Sequence, residues 1–183
     1  MYWFKSPLRC LLACCVVLVL LPGCKRGPQS LAAPKYFDVE GYFTAESARL
    51  AAINPMVTKT ATHNGVTETQ KLKIANWAEE FALFKDADIN KPAWTNSYKV
   101  INDGGLLIYR AKEDQLQVHE ILIKREQQKI KWILIYTRAP KNILYKSYTK
   151  LSYFPDSLYM IEMDQHVKLL GVNTYKISGL IAK

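Results

Sequence analysis

Residues 116–154 contain three successive runs rich in Ile, Leu, Val and Tyr: LQVHEILIKR at 116–125, KIKWILIYTR at 129–138 and NILYKSYTKLSYF at 142–154. Each run has 10 to 13 residues, and short polar or proline-containing breaks separate the runs. Such runs with short breaks predict antiparallel strands joined as hairpins. Strands of this length twist and curl, so the stretch predicts a curved antiparallel sheet or half-barrel meander.

The same β pattern extends from about residue 97 to the end of the chain at residue 183. Turn signals interrupt it at 102–105, 113–114, 126–128, 139–140, 155–156 and 171–173. This spacing is typical of consecutive hairpins. No internal repeat and no second domain boundary stand out, so the region is predicted to form one sheet.

Two helices are predicted before this β region. Asp38 is a candidate N-cap for the first helix, which ends at Asn54 because Pro55 disfavours the α conformation in the residue before it. Asn76 and Glu79 have the spacing of a capping box, and a second, short helix follows to about residue 86.

A threonine-rich segment at 56–74 lies between the two helices. Asn64-Gly65 at its centre is a strong signal for a two-residue hairpin, because both residues tolerate positive φ. The predicted fold class is therefore α+β: a curved antiparallel sheet or half-barrel packed against two N-terminal helices.

The composition is that of a folded protein with one domain. The chain has 183 residues, of which 49% are hydrophobic and 22% charged, and its formal net charge is +9. All four cysteines lie within the first 24 residues. The rest of the chain therefore cannot hold a disulfide, a cysteine zinc site or a catalytic thiol.

The first residues have the pattern of an export signal. Residues 1–9 carry Lys5 and Arg9 and no acidic residue, and residues 10–21 are uninterruptedly apolar. A helix of this apolar run spans only about 18 Å. A bilayer core is roughly 30 Å thick, so the run is predicted to be the hydrophobic part of a signal peptide.

The stretch Leu21-Pro22-Gly23-Cys24 resembles the lipobox of bacterial lipoprotein signals, with leucine three positions before the cysteine and a small residue just before it. The resemblance implies cleavage before Cys24 and attachment of diacylglycerol and an N-linked acyl chain such as palmitate. Lys25 stands where an aspartate would favour inner-membrane retention, so the resemblance implies an outer-membrane anchor that faces the periplasm. The alternatives are a secreted protein cut elsewhere and an uncleaved signal anchor.

These features predict three parts of the chain: a signal peptide at 1–23, the lipidated cysteine with a flexible tether at 24–36, and a single α+β domain at 37–183. The body resembles small lipoproteins of Gram-negative bacteria such as the Bacteroidota in the motifs KYFD (35–38), ADINKPAW (87–94) and LSYFPDSLY (151–159). This resemblance implies no particular activity.

The search for catalytic motifs gives no enzyme class and no cofactor. The chain contains neither G-x-S-x-G nor H-E-x-x-H. Glu162, Asp164 and His166 alternate along one predicted strand and are a weak candidate for a divalent metal site that needs a further ligand from elsewhere. The alternative is a polar stripe that faces water. A cavity that joined this stripe to His119 would favour an enzyme.

Basic residues are concentrated between residues 124 and 150, where there are eight of them and Glu126 is the only acidic residue. This candidate basic surface consists of Lys124, Arg125, Lys129, Lys131, Arg138, Lys141, Lys146 and Lys150. Behind an export signal, an anionic bilayer, a phosphorylated lipid or an acidic protein fits this charge better than nucleic acid. The alternative is an ordinary solvated face of the sheet.

Taken together, the sequence predicts a non-enzymatic outer-membrane lipoprotein that binds a ligand or partner through a curved sheet. One alternative is lipid or lipoprotein handling like that of the LolA/LolB lipoprotein-localisation proteins, to which the predicted architecture is similar. That similarity implies a groove lined by apolar and aromatic side chains. The other alternative is a structural interaction subunit whose basic surface faces the membrane or a partner.

Overall fold

The computed structural model describes residues 34–139, 144–168 and 171–182. The predicted signal peptide, Cys24, most of the predicted tether and Lys141 lie outside the described residues.

The described chain forms three short or medium helices and nine strands. The helices are α1 (Val39–Ile53), α2 (Trp77–Glu80) and α3 (Ala82–Asp86), and a 3-10 turn follows at Pro92–Trp94. The strands are β1 (Met56–His63), β2 (Val66–Lys73), β3 (Tyr98–Asp103), β4 (Leu106–Ala111), β5 (Val118–Glu126), β6 (Lys129–Arg138), β7 (Tyr145–Phe154), β8 (Leu158–Val167) and β9 (Gly171–Ile181).

All nine strands belong to one antiparallel sheet in the order β2-β1-β9-β8-β7-β6-β5-β4-β3. Strands β3 to β9 follow one another as a meander, and the N-terminal hairpin joins the sheet beside the last strand, β9. Among the described strands, β2 and β3 form the two edges. The predicted α+β fold class, with an antiparallel sheet that is not closed, is confirmed.

The predicted helix ends are present in the structure. The Asp38 side chain accepts a hydrogen bond from the Gly41 amide at 2.7 Å, and Asn54 ends α1 in the left-handed conformation. The Asn76 side chain accepts from the Glu79 amide at 3.2 Å. The second predicted helix is divided into α2 and α3 at Phe81.

Two turn predictions have different outcomes. Asn64 and Gly65 both have positive φ, at 49° and 87°, and they connect β1 and β2 as predicted. The predicted turn at 171–173 is wrong, because these residues are the first three of β9. Gly171 pairs with Val167 and has a φ of 84°, a conformation that glycine adopts without strain.

The core lies between the helices and one face of the sheet, and aromatic side chains fill it. Phe43, Phe81 and Phe84 are fully buried, and their rings contact those of Tyr153 and Tyr159 on the sheet. The ring centroids of Phe43 and Phe84 are 4.7 Å apart. Such contacts stabilise the core beyond simple burial of apolar area.

The compact unit begins at Pro34, before the predicted boundary at residue 37. Tyr36 is buried, and its ring makes edge contacts with Tyr98 and Tyr109 at 5.7 and 5.6 Å. Its hydroxyl donates to the Thr95 carbonyl at 2.7 Å. The last residues of the predicted tether are therefore packed against the sheet.

Two tyrosine–glutamate hydrogen bonds connect the sheet to the helices. Tyr153 donates to Glu46 of α1, and Tyr159 donates to Glu80 of α2 at 2.7 Å. The second oxygen of Glu80 accepts from the Lys59 ammonium, also at 2.7 Å. Burial and these hydrogen bonds raise the pKa of both tyrosine hydroxyls above the ordinary range.

Candidate functional site

The helices cover one face of the sheet and leave the other face uncovered. Successive side chains of a strand point to opposite faces. In β7 and β8 the odd-numbered side chains point toward the helices, and two of them, Tyr153 and Tyr159, donate hydrogen bonds to helix residues. The even-numbered side chains therefore form the uncovered face.

The uncovered face contains a groove of about 680 Å³, a volume within the range of ligand sites. Its lining combines charged, hydroxyl and tyrosine side chains. The side chains of the uncovered face that line it, called the groove residues below, are Thr62, Tyr136, Arg138, Tyr148, Lys150, Glu162, Asp164, Thr174 and Lys176.

Strand register places the groove residues in two rows across the sheet. In the first row, Tyr136 is opposite Lys150, Lys150 is opposite Glu162, and Glu162 is opposite Lys176. Thr62 on β1 completes this row. With about 4.8 Å between strands, the row extends about 19 Å from β6 to β1.

The second row lies beside the first, at a distance of about 7 Å along the strands. It consists of Arg138, Tyr148, Asp164 and Thr174, each opposite the next in the register. The groove is therefore longer across the strands than along them.

The ion pairs of the groove centre on Glu162. One of its carboxylate oxygens is 3.1 Å from the Lys176 ammonium, and the other is 3.5 Å from that of Lys150. With Arg138 and Asp164, the groove residues carry three positive and two negative side chains. The formal charge of the groove is thus nearly balanced.

Two tyrosine rings are open to solvent in the groove. Tyr136 is 36% exposed and Tyr148 is 50% exposed. The guanidinium of Arg138 lies 5.3 Å from the centre of the Tyr148 ring, which is a cation–π distance. Arg138 thus holds the Tyr148 ring at the end of β6 while much of the ring stays accessible.

The turn between β1 and β2 forms one wall of the groove. The Asn64 amide donates to the Thr174 carbonyl at 3.0 Å, and the Thr174 amide donates to the Asn64 side chain at 2.9 Å. A third bond at 3.1 Å connects the side chains of Asn64 and Asn173. These bonds fix the turn against β9, and Gly65 contributes to the groove lining.

A smaller cavity of about 240 Å³ lies on the other side of the same strands, beside α3. Leu83 and Asp86 of α3 line it together with Ser147 and Gln165 of the covered face. Arg138 contributes to both cavities, since it stands at the end of β6.

The weak metal candidates are not assembled into a site. Glu162 and Asp164 line the groove, whereas His166 lies one step further along β8, opposite Lys146 and Val172. Side chains two residues apart on a strand point to the same face and are about 7 Å apart along it. Within the described ranges, no three His, Cys, Asp or Glu side chains are placed to hold a metal ion.

His119 does line the groove together with Glu162 and Asp164. The register of β5 and β6 shifts between Val118 and Glu120, so His119 occupies a bulge at the groove rim. The groove therefore unites His119 with two members of the predicted stripe, and His166 is the member that it does not include.

Residues 147–150 read S-Y-T-K and have the S-x-x-K spacing of some serine acyl-transfer enzymes. In β7, Ser147 belongs to the covered face, and Lys150 belongs to the uncovered face. Because the strand separates the two side chains, they do not form a serine–lysine pair.

The basic residues predicted as one surface fall into two groups. Lys124, Arg125, Lys129 and Lys131 lie around the turn between β5 and β6, where the Lys131 ammonium is 3.2 Å from Glu126 and the Lys124 ammonium donates to the Gly104 carbonyl. Arg138, Lys146 and Lys150 lie toward the opposite end of these strands. Lys129 and Arg138 are about 30 Å apart along β6.

Sequence reasoning did not single out Thr62, Thr174 and Lys176 as site residues. The even-numbered polar positions of β8 and β9 are a signal for a polar face, but only the register brings them beside β6 and β7.

Comparison of the chain with family models, curated proteins and solved structures gives no match. No helix among the described residues is long and apolar enough to cross a bilayer.

Proposed function

We propose that this protein is an outer-membrane lipoprotein, anchored through Cys24 and facing the periplasm, that binds a ligand in the groove. The observation that carries the binding proposal is the contrast between the faces of the sheet. The covered face is filled by aromatic side chains, whereas the uncovered face has a groove of about 680 Å³.

The groove residues supply both kinds of hydrogen-bonding group. Arg138, Lys150 and Lys176 donate, the carboxylates of Glu162 and Asp164 accept, and the threonine hydroxyls do both. Exposed tyrosine rings add apolar contact area with a polar edge. This combination is typical of a site that fixes a ligand by many directed contacts.

Lipid or lipoprotein handling receives less support from the geometry. It requires an apolar space large enough for acyl chains, and the helix-covered side of the sheet is packed with fully buried rings of Phe43, Phe81 and Tyr153. The groove on the other face has tyrosine rings beside charged and hydroxyl groups, and acyl chains would leave those charged and hydroxyl groups without hydrogen-bond partners.

The anchor is tested by labelling growing cells that express the full chain with radioactive palmitate. We expect label in the wild-type protein and none in Cys24→Ser, because the thiol is the attachment point that the lipobox resemblance implies. Fractionation should place the labelled protein in the outer membrane. Equal labelling of both proteins would overturn the anchor.

The groove is tested in cells by replacing Tyr148 with the photoreactive residue p-benzoylphenylalanine in the full chain. Irradiation should give a covalent adduct that intact-protein mass spectrometry detects. The matched control is the same replacement of Tyr145, which is on the same strand and lines the cavity beside α3. Adducts at neither position, or equally at both, would overturn binding in the groove.

A further inference from the structure

We infer that the ligand of the groove is a neutral saccharide chain. This inference rests on the proposed function, since it names the ligand class of the same groove. Three features carry it: the exposed rings, the balanced charges and the position of the groove in the middle of the sheet.

The exposed rings match the apolar faces of sugar rings. Tyr136 and Tyr148 are on neighbouring strands in diagonal register, so their β-carbons are about 7 Å apart. Tyrosine offers a large contact area with few rotatable bonds, and therefore loses little entropy on binding. The contact of Arg138 with the Tyr148 ring restricts that ring further.

The nearly balanced charges favour a ligand without net charge. An anionic ligand over the first row meets Glu162 between the two lysines, and a cationic ligand meets Lys150 and Lys176 on both sides. A sugar hydroxyl both donates and accepts hydrogen bonds. It can therefore accept from a lysine ammonium and donate to the adjacent carboxylate without disturbing the pair.

The position of the groove disfavours an extended peptide. Peptides that bind sheets by strand addition pair with an edge strand. The floor strands β6, β7, β8, β9 and β1 each have a neighbour on both sides, so the ladder hydrogen bonds occupy their backbone groups. Recognition must come from side chains, and the first row provides them over about 19 Å, which suits an oligosaccharide.

The experiment is calorimetric titration of the full-length protein in detergent with cellopentaose, chitopentaose and maltopentaose as neutral probes. Pentagalacturonate and a mixed-charge pentapeptide are the comparison probes. We expect at least one neutral probe to bind, with an affinity that changes less than about twofold with salt because no ion pair forms. Tyr148→Ala should weaken that binding about tenfold.

The matched controls separate stacking from a general loss of structure. Tyr148→Phe keeps the ring and should weaken binding less than Tyr148→Ala does, and Tyr145→Ala on the opposite face should bind like wild type. Tyr136→Ala should weaken binding in the same direction as Tyr148→Ala. Binding that Tyr148→Ala leaves unchanged would overturn the inference.

The outcomes also separate this inference from the proposed function. Binding of pentagalacturonate or the pentapeptide alone, lost in Tyr148→Ala, would overturn the saccharide class while the groove remains a binding site. If no neutral probe binds but an adduct forms at position 148 in cells, the saccharide class would likewise be overturned while the groove remains a binding site. No binding of any probe and no adduct at position 148 would overturn both.

Discussion

The two faces of strand β7 differ in what their side chains contact and, at most positions, in how far those side chains are buried. Leu151 and Tyr153 point to the covered face and are almost completely buried, whereas Tyr148 and Lys150 point to the uncovered face and are about half exposed. The same ten-residue strand thus builds the core with one set of alternate residues and the groove with the other set.

The difference lies in what each face contacts. Covered-face side chains contact the helices, and Tyr153 and Tyr159 fix them through Glu46 and Glu80. Uncovered-face side chains contact neighbouring strands, as Glu162 does with Lys150 and Lys176. Burial of a large apolar side chain stabilises a fold by about 1.5–3 kcal/mol. A surface ion pair contributes about 0–1 kcal/mol.

We therefore expect the groove residues to contribute little to the stability of the fold. The covered face supplies most of the stability, so residues of the uncovered face are free to serve binding. Substitutions on the two faces should therefore have unequal effects on the free energy of unfolding.

The largest effect is expected from Gly179→Ala on the covered face. A β-carbon at position 179 would overlap the ring of Tyr159, which is fully buried and bonded to Glu80. Displacement of the ring breaks that hydrogen bond and disturbs the core. We expect the full-length protein, measured by urea unfolding in detergent, to lose about 3 kcal/mol, the upper end for overpacked cores.

Ser178→Ala, one residue earlier on the uncovered face, is the control for Gly179→Ala. It should change the free energy of unfolding by less than about 0.5 kcal/mol. Equal losses in the two variants would contradict the division of β9 into a packed face and an open face.

The second effect is a loss of stability at alkaline pH that originates on the covered face. Burial, followed by the hydrogen bonds to Glu46 and Glu80, raises the pKa of Tyr153 and Tyr159. In the unfolded chain tyrosine ionises near pH 10, so above about pH 10 the unfolded state releases protons first. Stability should be unaffected by these groups below that pH and fall above it, by about 1.4 kcal/mol per pH unit for each tyrosine.

Urea unfolding of wild type and Tyr159→Phe at a series of pH values checks this effect. The variant should lose some stability at neutral pH because Glu80 loses a donor, and its decline above pH 10 should be less steep by the contribution of one tyrosine. Parallel declines in the two proteins would show that Tyr159 does not contribute to the alkaline loss.

Local features of the fold could be predicted from the sequence because they depend on few neighbouring residues. The Asp38 cap, the end of α1 at Asn54 and the Asn64-Gly65 hairpin each follow from the preferences of one to three residues. The meander follows from alternation and regular turns. The predicted turn at 171–173 is wrong because Gly171, with its positive φ, is the first residue of β9.

The groove could not be predicted, because it depends on contacts between distant strands. The bond between Asn64 and Asn173 joins residues 109 positions apart. Nothing in the local sequence places β1 beside β9, and a shift of one residue in register would move Thr174 to the other face. The prediction of one basic surface is wrong for a related reason, since it grouped Lys129 and Arg138 by their closeness in sequence, whereas they lie at opposite ends of β6.

A third, smaller difference between the faces is expected from a pair of identical substitutions, Glu80→Gln on the covered face and Glu162→Gln on the uncovered face. Each glutamate forms an ion pair with lysine, but the side chain of Glu80 is 14% exposed and that of Glu162 is 34% exposed. Glu80 also accepts from the buried Tyr159 hydroxyl. Glu80→Gln should therefore cost about 2 kcal/mol, because Lys59 and the tyrosine lose a charged acceptor in a water-poor site.

Glu162→Gln should cost less than about 0.5 kcal/mol, because solvent screens the pairs that it breaks. Urea unfolding of both variants at neutral pH, at low and at high salt, measures the difference. High salt should reduce the small cost of Glu162→Gln and leave that of Glu80→Gln nearly unchanged, since screening acts on exposed charges. A cost of Glu162→Gln equal to that of Glu80→Gln would mean that the groove residues also hold the fold together, and the two faces would then not divide stability from binding.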